Sequence, residues 1–213
     1  MPLKNKNIFS ELQNIPSSIL SDVLGRFQVV DHEIKPVFDL KKPIIGTAFT
    51  VNAMVGCNWG AHIALYKAKP GDILVIDGKG YKNRSIWGGL QSYVAQKNGL
   101  LATIVDGAIR DKKEHCLLGY CVCTRAVTPA GPHKGWKDEL QVPITCGGVV
   151  VHSGDVMVID NDGIVVIPKD KVAEIVKKAQ LQIKTEKQWK KRIDNGEKFY
   201  QILKLDKKFD KED

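Results

Sequence analysis

No stretch of the chain approaches the roughly 20 consecutive apolar residues that cross a bilayer, which excludes a helical membrane span. The opening MPLKNKNIFSEL carries basic residues but neither an apolar core nor a small-residue cleavage site, so no secretory signal is read there. Paired cysteines are missing too. The five, at positions 57, 116, 121, 123 and 146, form neither an even disulfide count nor a C-x-x-C pair, so no zinc knuckle or redox motif is indicated. Cys121 and Cys123 flank Val122, and on a strand that spacing turns both thiols to one face, where packing is the expected role. Reduced thiols imply a cytoplasmic location. His62, His115, His133 and His152 lack the short paired spacing of a zinc site and read as structural or solvated. His133, in the loop Thr128-Pro-Ala-Gly-Pro-His133, is the exception that could line a pocket. No nucleophile elbow is present, Gly78-Lys-Gly80 is too short for a dinucleotide fingerprint, and no glycine-rich site for S-adenosylmethionine is found.

What remains is an ordinary globular composition. Hydrophobic residues make up 43% and charged residues 26% of 213, enough to bury a core and far from the disordered class. One domain over residues 1–213 is expected, with a basic helical extension from about residue 180. The formal charge of +8 is concentrated in the terminal tracts Lys4 to Lys6 and Lys184 to Lys208, where acids are interspersed and few aromatics interleave. That pattern reads as a solvated helical face, with nucleic acid as a minor alternative.

Along the chain, residues 9–25 read as a short opening helix, with Pro16 in its first turn and Ser17 or Ser18 as caps. Ile44 to Val51 reads as a strand and Trp59 to Lys69 as a helix. Asp72 to Asp77 is a continuous apolar run of strand length, followed by a flexible loop Gly78-Lys-Gly80 and a helix over Ile86 to Lys97 closed by Gly99. Leu101 to Asp106 is a second such run, so Asp72 to Asp106 forms a βαβ unit with parallel strands opening on one edge. Tyr120 to Val127 and Pro143 to Val151 read as strands. Gly154 to Asp160 and Gly163 to Pro168 form a tight pair, and Lys169 onward is helical. Asp77, Asp106, Asp160 and Asp162 are assigned to turns as backbone acceptors.

The strongest local signal is Ile104-Val-Asp-Gly-Ala-Ile-Arg-Asp111, a buried strand that ends by presenting Arg110 beside Asp111. Arg offers a planar fork for a carboxylate or carbonyl oxygen, and Asp offers oxygens to a hard divalent cation. A plain ion pair at a helix start is the competing reading. Gly88 and Gly89 precede a helix whose first-turn N–H groups form a natural anion site, and with Arg110 they suggest a pocket for a small carboxylate.

The blocks KPGDILVIDGKGYKNRSIWGGL, GLLATIVDGAIRDKKE, RAVTPAGP and VPITCGGVVVHSGDVMVIDNDGIVVIPKDKV resemble, in order and spacing, those of the 4-hydroxy-4-methyl-2-oxoglutarate aldolase family, which also contains regulators of ribonuclease E activity. The resemblance covers roughly Ile44 to Ala179. It implies an αββα sandwich like the swivelling phosphohistidine domain with a long C-terminal helix, assembled as trimers or hexamers with active sites at subunit boundaries. It implies a lyase that cleaves 4-hydroxy-4-methyl-2-oxoglutarate or 4-carboxy-4-hydroxy-2-oxoadipate to pyruvate and can decarboxylate oxaloacetate. It makes Asp111 the ligand of Mg²⁺ or Mn²⁺ and Arg110 the group that holds the oxo acid. The site around Gly88 and Gly89 would bind the substrate's carboxylate through the amides of Leu90 and Gln91, and Glu186 would approach from a neighbouring subunit. In one respect the chain departs: aldolase members carry an acid one residue before the Leu90 equivalent, where this chain has Gly89. Regulator-type members lack the Arg-Asp pair, which this chain keeps.

Overall fold

The computed structural model describes residues 9–206; the basic tract Lys4 to Lys6 and the last lysines of the C-terminal tract lie outside them. Its framework is the βαβ unit expected from the two apolar runs. Strand β3 (Asp72–Trp87), helix α3 (Gly89–Lys97) and strand β4 (Ala102–Ile109) follow helix α1 (Ser17–Val23), β1 (Lys35–Pro36), β2 (Ile44–Asn52) and α2 (Trp59–Lys67). After them come α4 (Lys112–Leu118), β5 (Cys121–Val127), β6 (Glu139–Leu140), β7 (Ile144–Cys146), β8 (Val149–Val151), β9 (Val156–Ile159), β10 (Ile164–Ile167), α5 (Val172–Asp194) and α6 (Phe199–Ile202). The main sheet runs β1-β5-β4-β3-β2-β9-β10, with β6 pairing β2, and it curls toward a nearly closed barrel. The expected α/β class with a long C-terminal helix is what is observed.

Strands β2, β3, β4 and β5 are parallel, and the central ones are buried on both faces, which is why they read as continuous apolar runs. Successive residues still divide between the faces. Ile73 and Val75 join Ile104, Cys121, Cys123 and the β7–β8 hairpin in one cluster, while Leu74 and Ile76 join Val105, Val122 and the inward faces of α2 and α3. A third cluster packs Val156, Val158, Val165 and Ile167 against α1 and the Val172, Ile175, Val176 and Ala179 stripe of α5. Cys121 and Cys123 are both fully packed, as their spacing predicts.

Several local expectations change. The opening segment is not one helix: a helical turn at residues 9–12 ends before Pro16, which is the N-cap of α1. Ser17 caps nothing; its N–H and hydroxyl donate to the two carboxylate oxygens of Asp160, at 2.9 and 2.8 Å, tying α1 to the β9–β10 turn. Gly78-Lys-Gly80 is not a free loop but a bulge inside β3, which continues to Trp87 and pairs with β4 up to Ile109 through three register shifts. Lys79 and Gly80 adopt positive φ there, and a side chain at Gly78 would sit 2.7 Å from the Asp106 carbonyl, so glycine is what lets the two strands close up. Asp106 consequently lies mid-strand rather than in a turn. Pro143 to Val151 splits into the β7–β8 hairpin about Gly147-Gly148, both at positive φ. The helix expected from Ile86 starts at Gly89, because Ile86 and Trp87 are strand residues.

Candidate active site

The extension of β3 builds the site. In the final register Trp87 lies opposite Ile109, and the Arg110 N–H donates to the Trp87 carbonyl at 3.0 Å. The chain then leaves β3 as Gly88-Gly89 into α3 and leaves β4 as Arg110-Asp111 into α4, so two helix starts face each other. Trp87 is buried and its indole N–H donates to Ser92 Oγ at 2.7 Å, which fixes α3 on the end of its own strand.

Asp111 is the N-cap of α4 and stands in the left-handed region at φ 59°, ψ 37°, a conformation that Asp and Asn tolerate better than other L residues. Its Oδ2 accepts the Gly89 N–H at 3.0 Å and lies 3.5 Å from Arg110 Nε. The side chains of Arg110 and Asp111 remain 47% and 42% exposed, so the pair is neither dry nor packed away. A methyl on Gly88 would sit 2.9 Å from Asp111 Oδ2 and 3.1 Å from Arg110 Nε, so the pair would have to shift to admit it. On the other side the Thr128–His133 loop approaches, and a side chain at Gly131 would meet Arg110 Nη1 at 3.4 Å. That loop is anchored by Ala130, whose carbonyl accepts both the N–H and the hydroxyl of Ser85 at 2.8 Å. His133 itself is exposed and packs edge-on against Trp136.

In the first turn of α3, Leu90 is exposed and Gln91 is buried, with Gln91 Oε1 accepting the Gly88 N–H at 3.1 Å. N–H groups of a first turn have no acceptor within their own helix, and those of Leu90 and Gln91 belong to this turn. Gly88, Gly89, Leu90, Gln91, Arg110 and Asp111 are thus brought together. Glu186 is not among them within one chain. It sits on α5, accepting a 3.3 Å bond from Gln182, and α5 packs against α1 and the β9–β10 end of the sheet. Gly78-Lys-Gly80, expected from the sequence to lie beside the Arg110–Asp111 corner, is instead beside the Asp106–Arg125 pair, because β3 continues past it to Trp87. The four described cavities, the largest about 750 Å³ beside Thr47, Phe49 and Pro70, include neither Arg110 nor Asp111; the pair occupies an open edge.

His115, read from the sequence as structural or solvated, proves structural. His115 is fully buried, and its Nε2–H donates to the Arg110 carbonyl at 2.8 Å, leaving Nδ1 buried without a partner. The imidazole therefore fixes the peptide between the two functional residues. Burial holds its pKa below the ordinary 6.5, against the opposing pull of the Arg110 carbonyl. The sign follows directly: below pH 6.5 the unfolded chain takes up a proton that the folded chain resists, so stability is complete above that pH and falls as acid approaches the folded value. Urea unfolding at pH 7.5 and pH 5.0 should show this loss, and His115→Gln should flatten it. An equal pH dependence in the variant would remove His115 from the account.

A family model described as Aldolase/RraA matches residues 17–166. A putative 4-hydroxy-4-methyl-2-oxoglutarate aldolase of Halalkalibacterium halodurans is 35% identical over 174 residues, covering 82% of this chain and 82% of its own. Among solved structures, RraAS2 of Streptomyces coelicolor, described as an unusual member of the RNase ES inhibitor RraA family, aligns with TM-score 0.75 and 26% identity over 87% of this chain and 98% of its own. The RNA-processing inhibitor RraA of Thermus thermophilus aligns with TM-score 0.66 and 25% identity over 72% and 93%. Among the described residues no helix is long and apolar enough to cross a membrane. Relatives' names support an aldolase activity, and the match across most of its length establishes that the chain belongs to the Aldolase/RraA family.

Proposed function

We propose that this protein is a divalent-metal-dependent lyase that cleaves a C–C bond of a 4-hydroxy-2-oxo acid, such as 4-hydroxy-4-methyl-2-oxoglutarate or 4-carboxy-4-hydroxy-2-oxoadipate, to release pyruvate, and that decarboxylates oxaloacetate at the same site. The observation that carries the reading is the half-exposed Arg110–Asp111 pair held against the first turn of α3. Its residues fit a hard cation. Asp111 has one carboxylate oxygen tied by Gly89 and Arg110 and the other directed to no protein donor, and Mg²⁺ or Mn²⁺ is commonly held by one or two carboxylates with water completing the shell. Among the described residues no group of three or more acidic, His or Cys side chains competes for such an ion.

The bound ion would supply Lewis-acid polarisation of the 2-oxo group. Arg110 would hold the same oxo acid by its oxygens and stabilise the negative charge that develops there as the C–C bond breaks. The amides of Leu90 and Gln91 would take the substrate carboxylate. Glu186 of a neighbouring subunit would complete the open edge, which makes a homotrimer or hexamer the working form.

Release of pyruvate from oxaloacetate and from a 4-hydroxy-2-oxo acid, followed with lactate dehydrogenase, tests the reading. Turnover should vanish in EDTA and return with Mn²⁺. Enzyme-dependent release that persists unchanged in EDTA, or none with any of these acids, would refute it. A second reading, regulation of a ribonuclease by protein binding, is supported by the names of the RraA structures. It predicts capture of a nuclease by the tagged chain, undisturbed by EDTA.

A further inference from the structure

Gly89 leaves a space that another residue fills. A side chain built on Gly89 would overlap the carboxylate of Glu114, with Oε2 and Cδ nearest and Cγ 2.9 Å away. Glu114 stands in the first turn of α4, three residues after Asp111, and its N–H donates to the Asp111 carbonyl at 2.9 Å. Its carboxylate makes no described hydrogen bond or ion pair with any protein group. The Gly89 N–H, meanwhile, donates to Asp111 Oδ2. Two carboxylates from one helix start therefore flank the same glycine, one engaged and one not.

Glu114 is exposed, so water satisfies its carboxylate in the free protein and leaves it available to the hydration shell of an ion held at Asp111. Mg²⁺ usually keeps several waters, so a second carboxylate can act through one of them.

Resting on the lyase reading, we propose that Glu114 is a positioning residue which accepts a hydrogen bond from the hydration shell of the cation at Asp111, and that Gly89 is present because any side chain there would displace it. The acid that the family resemblance implies at the position of Gly89 would thus be replaced from the facing helix, 25 positions later in the chain. Outer partners of this kind commonly contribute about 10–100-fold to metal affinity or activity. The two positions are linked by sterics, so their substitutions are not independent.

The test uses the full-length protein and Mn²⁺ alone, with free ion counted by electron paramagnetic resonance, alongside oxaloacetate turnover. Glu114→Gln should weaken Mn²⁺ binding about tenfold or more. Gly89→Ala should do the same with Glu114 intact, by pushing the carboxylate aside. The double variant Gly89→Asp with Glu114→Ala should recover most of the loss, which a merely structural role for Glu114 would not predict. Unaltered Mn²⁺ affinity and turnover in Glu114→Gln, or a double variant no better than Glu114→Ala, would overturn the proposal while leaving the lyase reading standing. Failure of the unaltered protein to bind Mn²⁺, or affinity untouched in Asp111→Asn, would overturn the lyase reading and this proposal with it.

Discussion

Asp111→Asn should lower lyase turnover by about 10³-fold or more, because the proposed cation would lose the carboxylate that holds it. Lewis-acid stabilisation of a developing oxyanion is worth several kcal/mol, and about 4 kcal/mol is a factor of about 10³ in rate. Asparagine is the informative replacement. At φ 59° an alanine would add backbone strain of roughly 1–2 kcal/mol, mixing a conformational effect with the loss of charge, whereas Asn accepts the left-handed region and still takes the Gly89 N–H. Steady-state kinetics with Mn²⁺ at saturating concentration, together with a thermal melt, separate the two. Turnover within tenfold of the unaltered protein, with an unchanged melt, would remove Asp111 from the centre of the reaction.

Asp106→Ala should be the most destabilising single change among the charged residues, at about 3–5 kcal/mol, the usual cost of stranding one member of a buried ion pair. Asp106 Oδ1 pairs with Arg125 Nε at 2.5 Å and its Oδ2 accepts the Gly147 N–H at 2.6 Å, so one carboxylate ties β4 to β5 and to the turn of the β7–β8 hairpin. The side chains are only 8% and 11% exposed. Arg125 also reaches Asp31 at 2.8 Å and Glu33 at 3.1 Å. Burial works against the guanidinium charge, but the bonds to Asp106 and Asp31 outweigh it and raise the Arg125 pKa above its ordinary value. Asp31 is held below its ordinary 3.8, first by the Glu33 N–H and then by Arg125, so its share of stability is complete above that pH and is lost as acid approaches the lowered value. At roughly 2–4 °C per kcal/mol for a domain of this size, Tm should fall by about 10 °C. A drop under about 2 °C would show that the remaining carboxylates satisfy Arg125 unaided.

The Asp106 network also marks where sequence reasoning stops. Asp106-Gly107 looks like a strand end because Asp followed by Gly is ordinary turn chemistry, and nothing local announces that the strand continues to Ile109. The same applies to Gly78-Lys-Gly80, where residues suited to a loop form a bulge. In both places the deciding partner is the neighbouring strand. The adjacency of Arg110 and Asp111 and the glycines of the α3 start were legible, since both sit within a few residues along the chain. Glu114 and His115 were not: one acts through the space above Gly89, the other through the Arg110 carbonyl, and neither contact leaves a periodic trace.

By itself the sequence determined the α/β class, the parallel βαβ unit, a long helix following β10 and the place of the Arg-Asp corner, because burial along a strand or helix writes its period into neighbouring residues. Tertiary structure alone decided how far β3 and β4 run, that Asp111 bends into the left-handed region, and which carboxylate stands over Gly89. Those depend on register between segments distant in the chain, which is set by the close approach of backbones at glycine and by pairings that no local pattern encodes.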